Sequence, residues 1–571
     1  MQVLDTMLLD INNLNVYFSS GNDTVSAVKN LALQLDHREV LGLVGESGSG
    51  KSVTALSIMR LLPGSAQVSG NIFFRPNPSE APLSLHTLPP EKLRRIRGAA
   101  LAMIFQEPMS SLNPVFRCGA QVVEAIHLHQ GLYGSAAQKQ ALALLERVKL
   151  PDIRRIFRSY PHELSGGQKQ RIMIAMALAG NPKLLIADEP TTALDLTVQK
   201  GILDLLSDIR QESGMSMLFI SHDLGVISEI ADRVAVMHQG AVVETGLTGQ
   251  VLRQAKHPYT RGLIACKPSM QRKLHRLPTV ADYLQQNELK ARVVSIEETA
   301  SRRTALYSHS PLLEVEDLSV RYPVKKRFWD AGAEWMNAIN GVGFEVYPGE
   351  TFGLAGESGC GKTTLGRVIN QMLTAQKGAI RYRQLHLNTL SQAEFRSIRR
   401  EIQMVFQDPY SSLNPRMPVG LALLEPLQHY QLFGSDRQRR EKVVELLETV
   451  GLEADHAKRF PAAFSGGQRQ RICLARALAL QPKLLICDEI VSALDVSVQA
   501  TILNLLQDLQ DKFGLTYIFI SHDLSVIKQM CDRVLVLNKG SVEAAGTPDD
   551  LFEKPQNPYL RELLSAFPGK R

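Results

Sequence analysis

The chain has 571 residues, 44% hydrophobic and 21% charged, with a net charge of +7 at pH 7. That length gives room for two large domains or three to four ordinary ones, and the composition is that of a globular chain; the positive balance suits an anionic partner no better than it suits a solvated basic surface. No apolar run reaches the roughly 18 residues of a membrane span, the start lacks a secretory leader, and six scattered cysteines form no C-x-x-C pair, which argues against a disulfide framework or zinc site and for a cytoplasmic setting.

In chain order, the first informative element is the apolar run VLGLV, which predicts a buried strand running into GESGSGKS, residues 45–52. The pattern G-x-x-x-x-G-K-[S/T] between a strand and a helix is a phosphate-binding loop. Gly45, Gly48 and Gly50 let the backbone turn several N–H groups toward one anion, with Glu46, Ser47, Ser49 and Val53 completing the loop. Lys51 supplies a charge for the β- and γ-phosphates, and the Ser52 hydroxyl can ligate Mg²⁺. The helix KSVTALSIMRLL adds its positive end.

RPNPSEAPLS then reads as a surface loop, and FQEPMSSLNP (105–114) precedes a stretch of helical patterns such as AAQKQALALLERVKL. Next come LSGGQKQR (164–171), the apolar run LLIADEP (184–190), the helical stretch VQKGILDLLSDIRQ, FISHDL (219–224) and HPYTRGL (257–263). Residues 266–310 show no sustained periodicity and predict a connector; as a flexible coil it would span roughly 35–40 Å.

The whole series then repeats. GESGCGKT lies at 356–363, FQDPYSSLNP at 406–415, FSGGQRQR at 464–471, LLICDEI at 484–490, FISHDL again at 519–524 and NPYLREL at 557–563. Gly356, Glu357, Ser358, Gly359, Cys360, Gly361, Lys362, Thr363 and Thr364 stand where the first loop stands. Strands alternating with helices predict two α/β domains with largely parallel sheets, 1–265 and 311–571, each with an inserted helical subdomain, at roughly 107–163 and 408–463.

This ordered set resembles the ATP-binding cassette (ABC) ATPases, and it covers essentially everything outside the connector. FQEPMSSLNP, YPHELSGGQ and HPYTR narrow the resemblance to the dipeptide, oligopeptide and nickel branch of bacterial importers, in its fused two-cassette form. The resemblance implies tandem P-loop domains that hydrolyse ATP with Mg²⁺ at the cytoplasmic face of the inner membrane. It implies two permease subunits and an extracytoplasmic binding protein as partners, and head-to-tail pairing of the two cassettes. Site one would then set Lys51, Ser52, Asp188, Glu189 and His222 against Ser465, Gly466, Gly467 and Gln468. Site two would set Lys362, Thr363, Asp488, Glu489 and His522 against Ser165, Gly166, Gly167 and Gln168.

By the same resemblance Asp188 and Asp488 hold Mg²⁺ or its waters, and Glu189 and Glu489 orient the attacking water. His222 and His522 contact the γ-phosphate, Gln106 and Gln407 touch Mg²⁺, and Phe18 and Tyr322 stack on adenine, although a strand aromatic packed in the core is a competing reading for the last pair. Ile490 and Val491 depart from the Pro190-Thr191 pattern, which predicts a looser loop at Glu489. Only Cys266 lies where some relatives carry four cysteines, so no iron–sulfur cluster is expected. The competing function is a soluble tandem ATPase acting on ribosomes or nucleic acid; those relatives carry long charged linkers or zinc modules and lack the HPYTR tail. The solute is not legible, because binding protein and permeases choose it.

Overall fold

The computed structural model describes residues 7–20, 23–106, 111–192, 194–285, 291–323, 335–492 and 494–566. The chain divides into two compact units, one built on Met1–Ile264 and the other on Ala265–Asp282 and Glu288–Ser565. The EPMS segment at 107–110 lies outside the described residues.

In the first unit the main sheet runs Ala241–Leu247, Arg233–His238, Val40–Val44, Ser216–Ser221, Leu184–Asp188, Leu101–Ile104. All neighbours are parallel except the first pair. Every residue of Val40–Val44, Leu184–Asp188 and Ser216–Ser221 is buried, which is why these strands read as unbroken apolar runs rather than alternating ones. The order has a functional consequence. Four adjacent parallel strands end on the same edge, and they are followed in turn by the phosphate loop, His222, Glu189 and Gln106, so residues far apart in sequence emerge side by side.

An antiparallel sheet, ordered Asp23–Asp36, Met7–Ser20, Ala66–Phe74, Leu83–Ser84, packs on this one through a shared core that includes Leu9, Ile11, Leu31, Leu41, Leu43, Ile72, Ile186 and Ile220. Fully burying each such side chain contributes about 1.5–3 kcal/mol. The RPNPSEAPLS stretch is exposed from Asn77 to Pro82, as its Pro and Ser content predicts. The inserted helices are Cys118–Gln130, Gly134–Arg147 and Ile153–Arg158, leading into Gly166–Leu178.

The second unit repeats the plan. Its main sheet runs Ile402–Val405, Leu484–Asp488, Thr516–Ser521, Thr351–Ala355, Arg533–Asn538, Ser541–Gly546, and its inserted helices are Val419–His429 and Asp436–Thr449.

The connector departs from the expected flexible coil. Over its described residues it carries two helices, Val280–Leu284 and Ile296–Leu306, and a bridge between Leu274 and Val293. It is bound to the second unit by side-chain amides that clasp its backbone. Gln529 accepts from Leu274 N (3.0 Å) and donates to Leu274 O (2.7 Å). Asn504 does the same with Leu277, at 2.9 and 2.8 Å. These bonds are buried, and the side chains of Leu274 and Leu277 are buried with them, so the segment is fixed by both.

Candidate functional site

Both phosphate loops have the backbone that their glycines were expected to permit. Gly50 has φ of 103° and Gly361 of 108°, and a Cβ on them would meet Ala27 O at 2.5 Å and Ala338 O at 2.4 Å, so no other residue fits. The helices that follow, Lys51–Ile58 and Lys362–Ile369, start with no side-chain cap and no acidic residue in the first turn. N–H groups at such a helix start suit an anionic ligand. Lys51 is buried and donates through Nζ to Gly45 O (2.7 Å) and Glu46 O (2.9 Å); Lys362 makes the matching pair with Gly356 O and Glu357 O at the same distances.

Ser52 Oγ donates to Asp188 Oδ1 at 3.1 Å, and Thr363 Oγ1 to Asp488 Oδ1 at 2.9 Å. Burial pushes Asp188 up to about 6 against the Ser52 hydrogen bond and the Lys51 charge; Asp488 is raised in the same way. A hydroxyl touching a buried, under-compensated carboxylate is an all-oxygen donor set that suits a hard dication.

Glu189 and Glu489 follow these aspartates in the left-handed region, at φ of 47° and 48°. A non-glycine residue there costs about 1–3 kcal/mol and persists only when its surroundings hold it. Backbone bonds to Ile220 O and Ile520 O, both 3.0 Å, do so. The strain aims each carboxylate into a cluster. Glu189 Oε2 receives Gln106 Nε2 (3.2 Å) and Thr192 Oγ1 (2.9 Å), with His222 Nδ1 at 3.2 Å. Glu489 Oε2 receives Gln407 Nε2 (2.9 Å) and has His522 Nδ1 at 3.3 Å, while Lys362 Nζ lies 3.6 Å from Oε1. Burial would raise Glu189, but its bonds to His222 and Thr192 and the Lys51 charge outweigh it and hold the group at about 2; Glu489, despite its burial, is lowered by His522 and Lys362. Burial lowers His522, and the Glu489 carboxylate more than reverses it, so that imidazole is raised.

The looser loop expected from Ile490 and Val491 is not seen. Both side chains are buried and Glu489 keeps the φ of its counterpart, so apolar packing replaces the rigidity of Pro190. The repeats differ instead at Thr192 and Ser492. The threonine hydroxyl reaches the glutamate side chain, whereas Ser492 Oγ donates to Glu489 O at 2.9 Å. Neither residue was singled out from sequence; their place in TTALD and VSALD, repeated after the glutamate, was the available signal.

The signature motifs form capped helix starts. Ser165 Oγ accepts from Gln168 N (3.4 Å) while Gln168 Oε1 accepts from Ser165 N (3.2 Å), and Ser465 and Gln468 repeat this at 3.3 and 3.0 Å. Gly167 and Gly467 are required because a Cβ would strike Val198 at 2.5 Å and Val498 at 2.3 Å. Ser165, Gly166, Ser465 and Gly466 are exposed within their own units. Phe18 and Tyr322 sit on the antiparallel sheets, partly buried against the core.

Two comparisons bear on the identity of this site. A family model described as ABC transporter matches residues 28–192 and 339–492, and one described as the C-terminal region of oligopeptide/dipeptide transporters matches 243–290. The chain is 46% identical over 564 residues to the glutathione import ATP-binding protein GsiA of Pectobacterium atrosepticum, with 98% of this chain and 89% of that protein covered. It is 45% identical over 570 residues to the protein of the same name from Escherichia coli K12, with the same coverage.

Proposed function

The chain belongs to the ABC transporter family, with two ATP-binding cassettes in one polypeptide, and from that premise we infer that it is the ATP-hydrolysing subunit of an importer for a peptide-class solute, glutathione or a short peptide. The observation that carries this reading is the duplication of one cluster in both units: loop lysine, hydroxyl–aspartate pair, and a strained glutamate held by glutamine and histidine. No described helix is long and apolar enough to cross a membrane, so the work of import falls to separate permeases, with the chain peripheral at the inner membrane. A solute-binding protein outside the membrane would select the cargo. Nothing in the fold or the relatives favours action on ribosomes.

The residue roles follow from the chemistry. The loop N–H groups with Lys51 and Lys362 would take the phosphates, the lysines exchanging their loop carbonyls for phosphate oxygens. Ser52 with Asp188 and Thr363 with Asp488, helped by Gln106 and Gln407, would hold Mg²⁺, which supplies charge neutralisation on the phosphates. Glu189, at about 2, is a weak base; its fixed carboxylate is suited to orienting and polarising a water rather than holding its proton. His222 beside Glu189 and His522 beside Glu489 would meet the γ-phosphate, and Phe18 and Tyr322 would stack on adenine. Each signature helix, with Ser165 or Ser465 at its start, would complete the other cassette's site, so that ATP draws the halves together and hydrolysis releases them.

The test is reconstitution with the cognate permeases and binding protein in liposomes. ATP hydrolysis should rise when the binding protein is loaded with glutathione or a di- or oligopeptide. Stimulation by none of these solutes would overturn the cargo reading, and an absence of MgATP hydrolysis under any condition would overturn the ATPase reading.

A further inference from the structure

The tail motifs HPYTRGL and NPYLREL recur in both units, yet nothing in the catalytic cluster uses them. Their placement is informative. Each tyrosine lies on the second short helix after the edge hairpin, Pro258–Ala265 or Pro558–Ser565, and its hydroxyl reaches the phosphate loop of its own unit. Glu46 N–H donates to Tyr259 Oη at 3.1 Å, and Glu357 N–H donates to Tyr559 Oη at 3.4 Å. We propose that Tyr259 and Tyr559 are positioning residues of the two ATP sites, holding the entry of each phosphate loop through the main-chain N–H of its second residue.

The loop entry needs such a partner. At Gly45 the chain leaves the sheet so close to the neighbouring strand that a Cβ would meet Met237 O at 2.3 Å, and at Gly356 it would meet Leu537 O at 2.3 Å. The next N–H has left the ladder and lies in a partly buried site; without the hydroxyl the loop entry is free to shift and turn that N–H to water. The carbonyls of the same two residues are taken by Lys51 and Lys362. When those lysines turn to phosphate, the tyrosine bond does not have to break, so it keeps the free loop in the form that takes phosphate, and without it binding must pay to order the entry.

The rest of the motif aims the ring. In the first unit Tyr259 N–H donates to His257 Nδ1 at 3.2 Å, and the Glu244 carboxylate takes Lys256 N–H (2.8 Å) and His257 N–H (3.1 Å). The Tyr259 ring is fully buried, 4.0 Å from the His238 ring. In the second unit Asn557 Oδ1 takes Tyr559 N–H at 2.8 Å, and Glu543 Oε2 holds Asn557 Nδ2 at 3.0 Å. Histidine and asparagine are different residues, but they cap the same turn before proline and deliver the same hydroxyl to the same amide. That the contact is kept while its support is rebuilt argues that the contact is the purpose of the motif. The first unit's bond is shorter and its tyrosine is more deeply buried, so its loop depends on it more.

This inference rests on the ATPase reading, and the test separates the two. Tyr259→Phe, Tyr559→Phe and the double variant keep the ring and remove only the hydroxyl. Full-length proteins are assayed for kcat and KM with MgATP, equilibrium MgATP binding, and melting temperature without nucleotide. Losing one hydrogen bond should weaken MgATP binding by roughly 3- to 10-fold for Tyr259→Phe and by less for Tyr559→Phe, with kcat nearly unchanged. The nucleotide-free melting temperature should move little, which a purely structural role would not give. As a second arm, Glu46→Pro deletes the N–H itself, and Tyr259→Phe added to it should have no further effect on MgATP binding. The proposal is overturned if Tyr259→Phe binds MgATP like the parent, if its loss of affinity is matched by a fall in nucleotide-free stability, or if the two changes add fully. A parent protein that neither binds nor hydrolyses MgATP would overturn the ATPase reading itself, before any variant is compared.

Discussion

Arg302, on the second connector helix, offers the sharpest perturbation of the connector clasp. Its Nε lies 2.8 Å from Asp532 Oδ1, and its Nη2 lies 3.3 Å from Oδ2 and 3.1 Å from Gly349 O. Asp532 is almost fully buried and also accepts Thr351 N–H at 2.9 Å, the first residue of the strand that runs into the second phosphate loop. Burial would raise this carboxylate, but Lys273 and Arg302 hold it below its usual range. The first unit pairs the corresponding aspartate, here exposed, without the connector: Arg210, from its own helix, reaches Asp232 (2.7 Å) and Arg38 O (2.9 Å), and Asp232 takes Val40 N–H. At the matching position the second unit has Gln510, so the connector lends it an arginine. Breaking a buried pair costs about 3–5 kcal/mol. Because the Arg302 side chain is 43% exposed and Lys273 remains, we expect Arg302→Ala to cost about 2 kcal/mol. In a unit of this size that lowers one of two calorimetric transitions by roughly 3 °C. Gln510→Arg with Thr351→Val, which writes the first unit's residues into the second, should restore at least half of the loss. Arg276→Ala, which removes an exposed pair with Asp508, serves as the control. An Arg302→Ala transition shifted no more than the control would refute the reasoning.

Lys51→Ala and Lys362→Ala should each reduce uptake in the reconstituted system severely, through lost phosphate compensation; if either left uptake unchanged, the two sites would not be equivalent. Metal-free stability should depend on pH through Asp188. Its folded value of about 6 lies above the ordinary carboxylate range, so its favourable contribution is full at low pH and lost as pH rises through about 6. Mg²⁺ should therefore stabilise the chain more at about pH 7 than at about pH 5, and Asp188→Asn should flatten that difference; an unchanged slope in the variant would refute it. Glu189 works in the opposite sense. Its contribution is present above its unfolded value and lost only as pH falls toward about 2, so it does not confound that window.

The fold and most of the site were legible because their chemistry is local. A strand–glycine–lysine sequence dictates a phosphate loop wherever it occurs, and fully apolar strands ending in Asp188 and Asp488 identify the central sheet. What was not legible depends on long-range partners. Leu274 and Leu277 are held through Gln529 and Asn504, polar helix residues that read as solvated surface until the connector covers them. The same limit hid Tyr259, whose role lies in a bond to an amide more than two hundred positions earlier. Ile490 shows the converse error. Losing a proline suggested slack, but with Ile490 and Val491 buried Glu489 takes the same backbone conformation as Glu189.

The claim at the centre of this account is that Glu189 and Glu489, strained into the left-handed region and gripped by glutamine and histidine, drive hydrolysis in both cassettes. Replacing both with glutamine preserves size and removes charge. Steady-state MgATP hydrolysis by the reconstituted complex should fall by at least about a hundredfold, the lower end for losing a positioned base, while equilibrium ATP binding persists. Near-parental turnover in the double variant, with ATP still bound, would contradict the account.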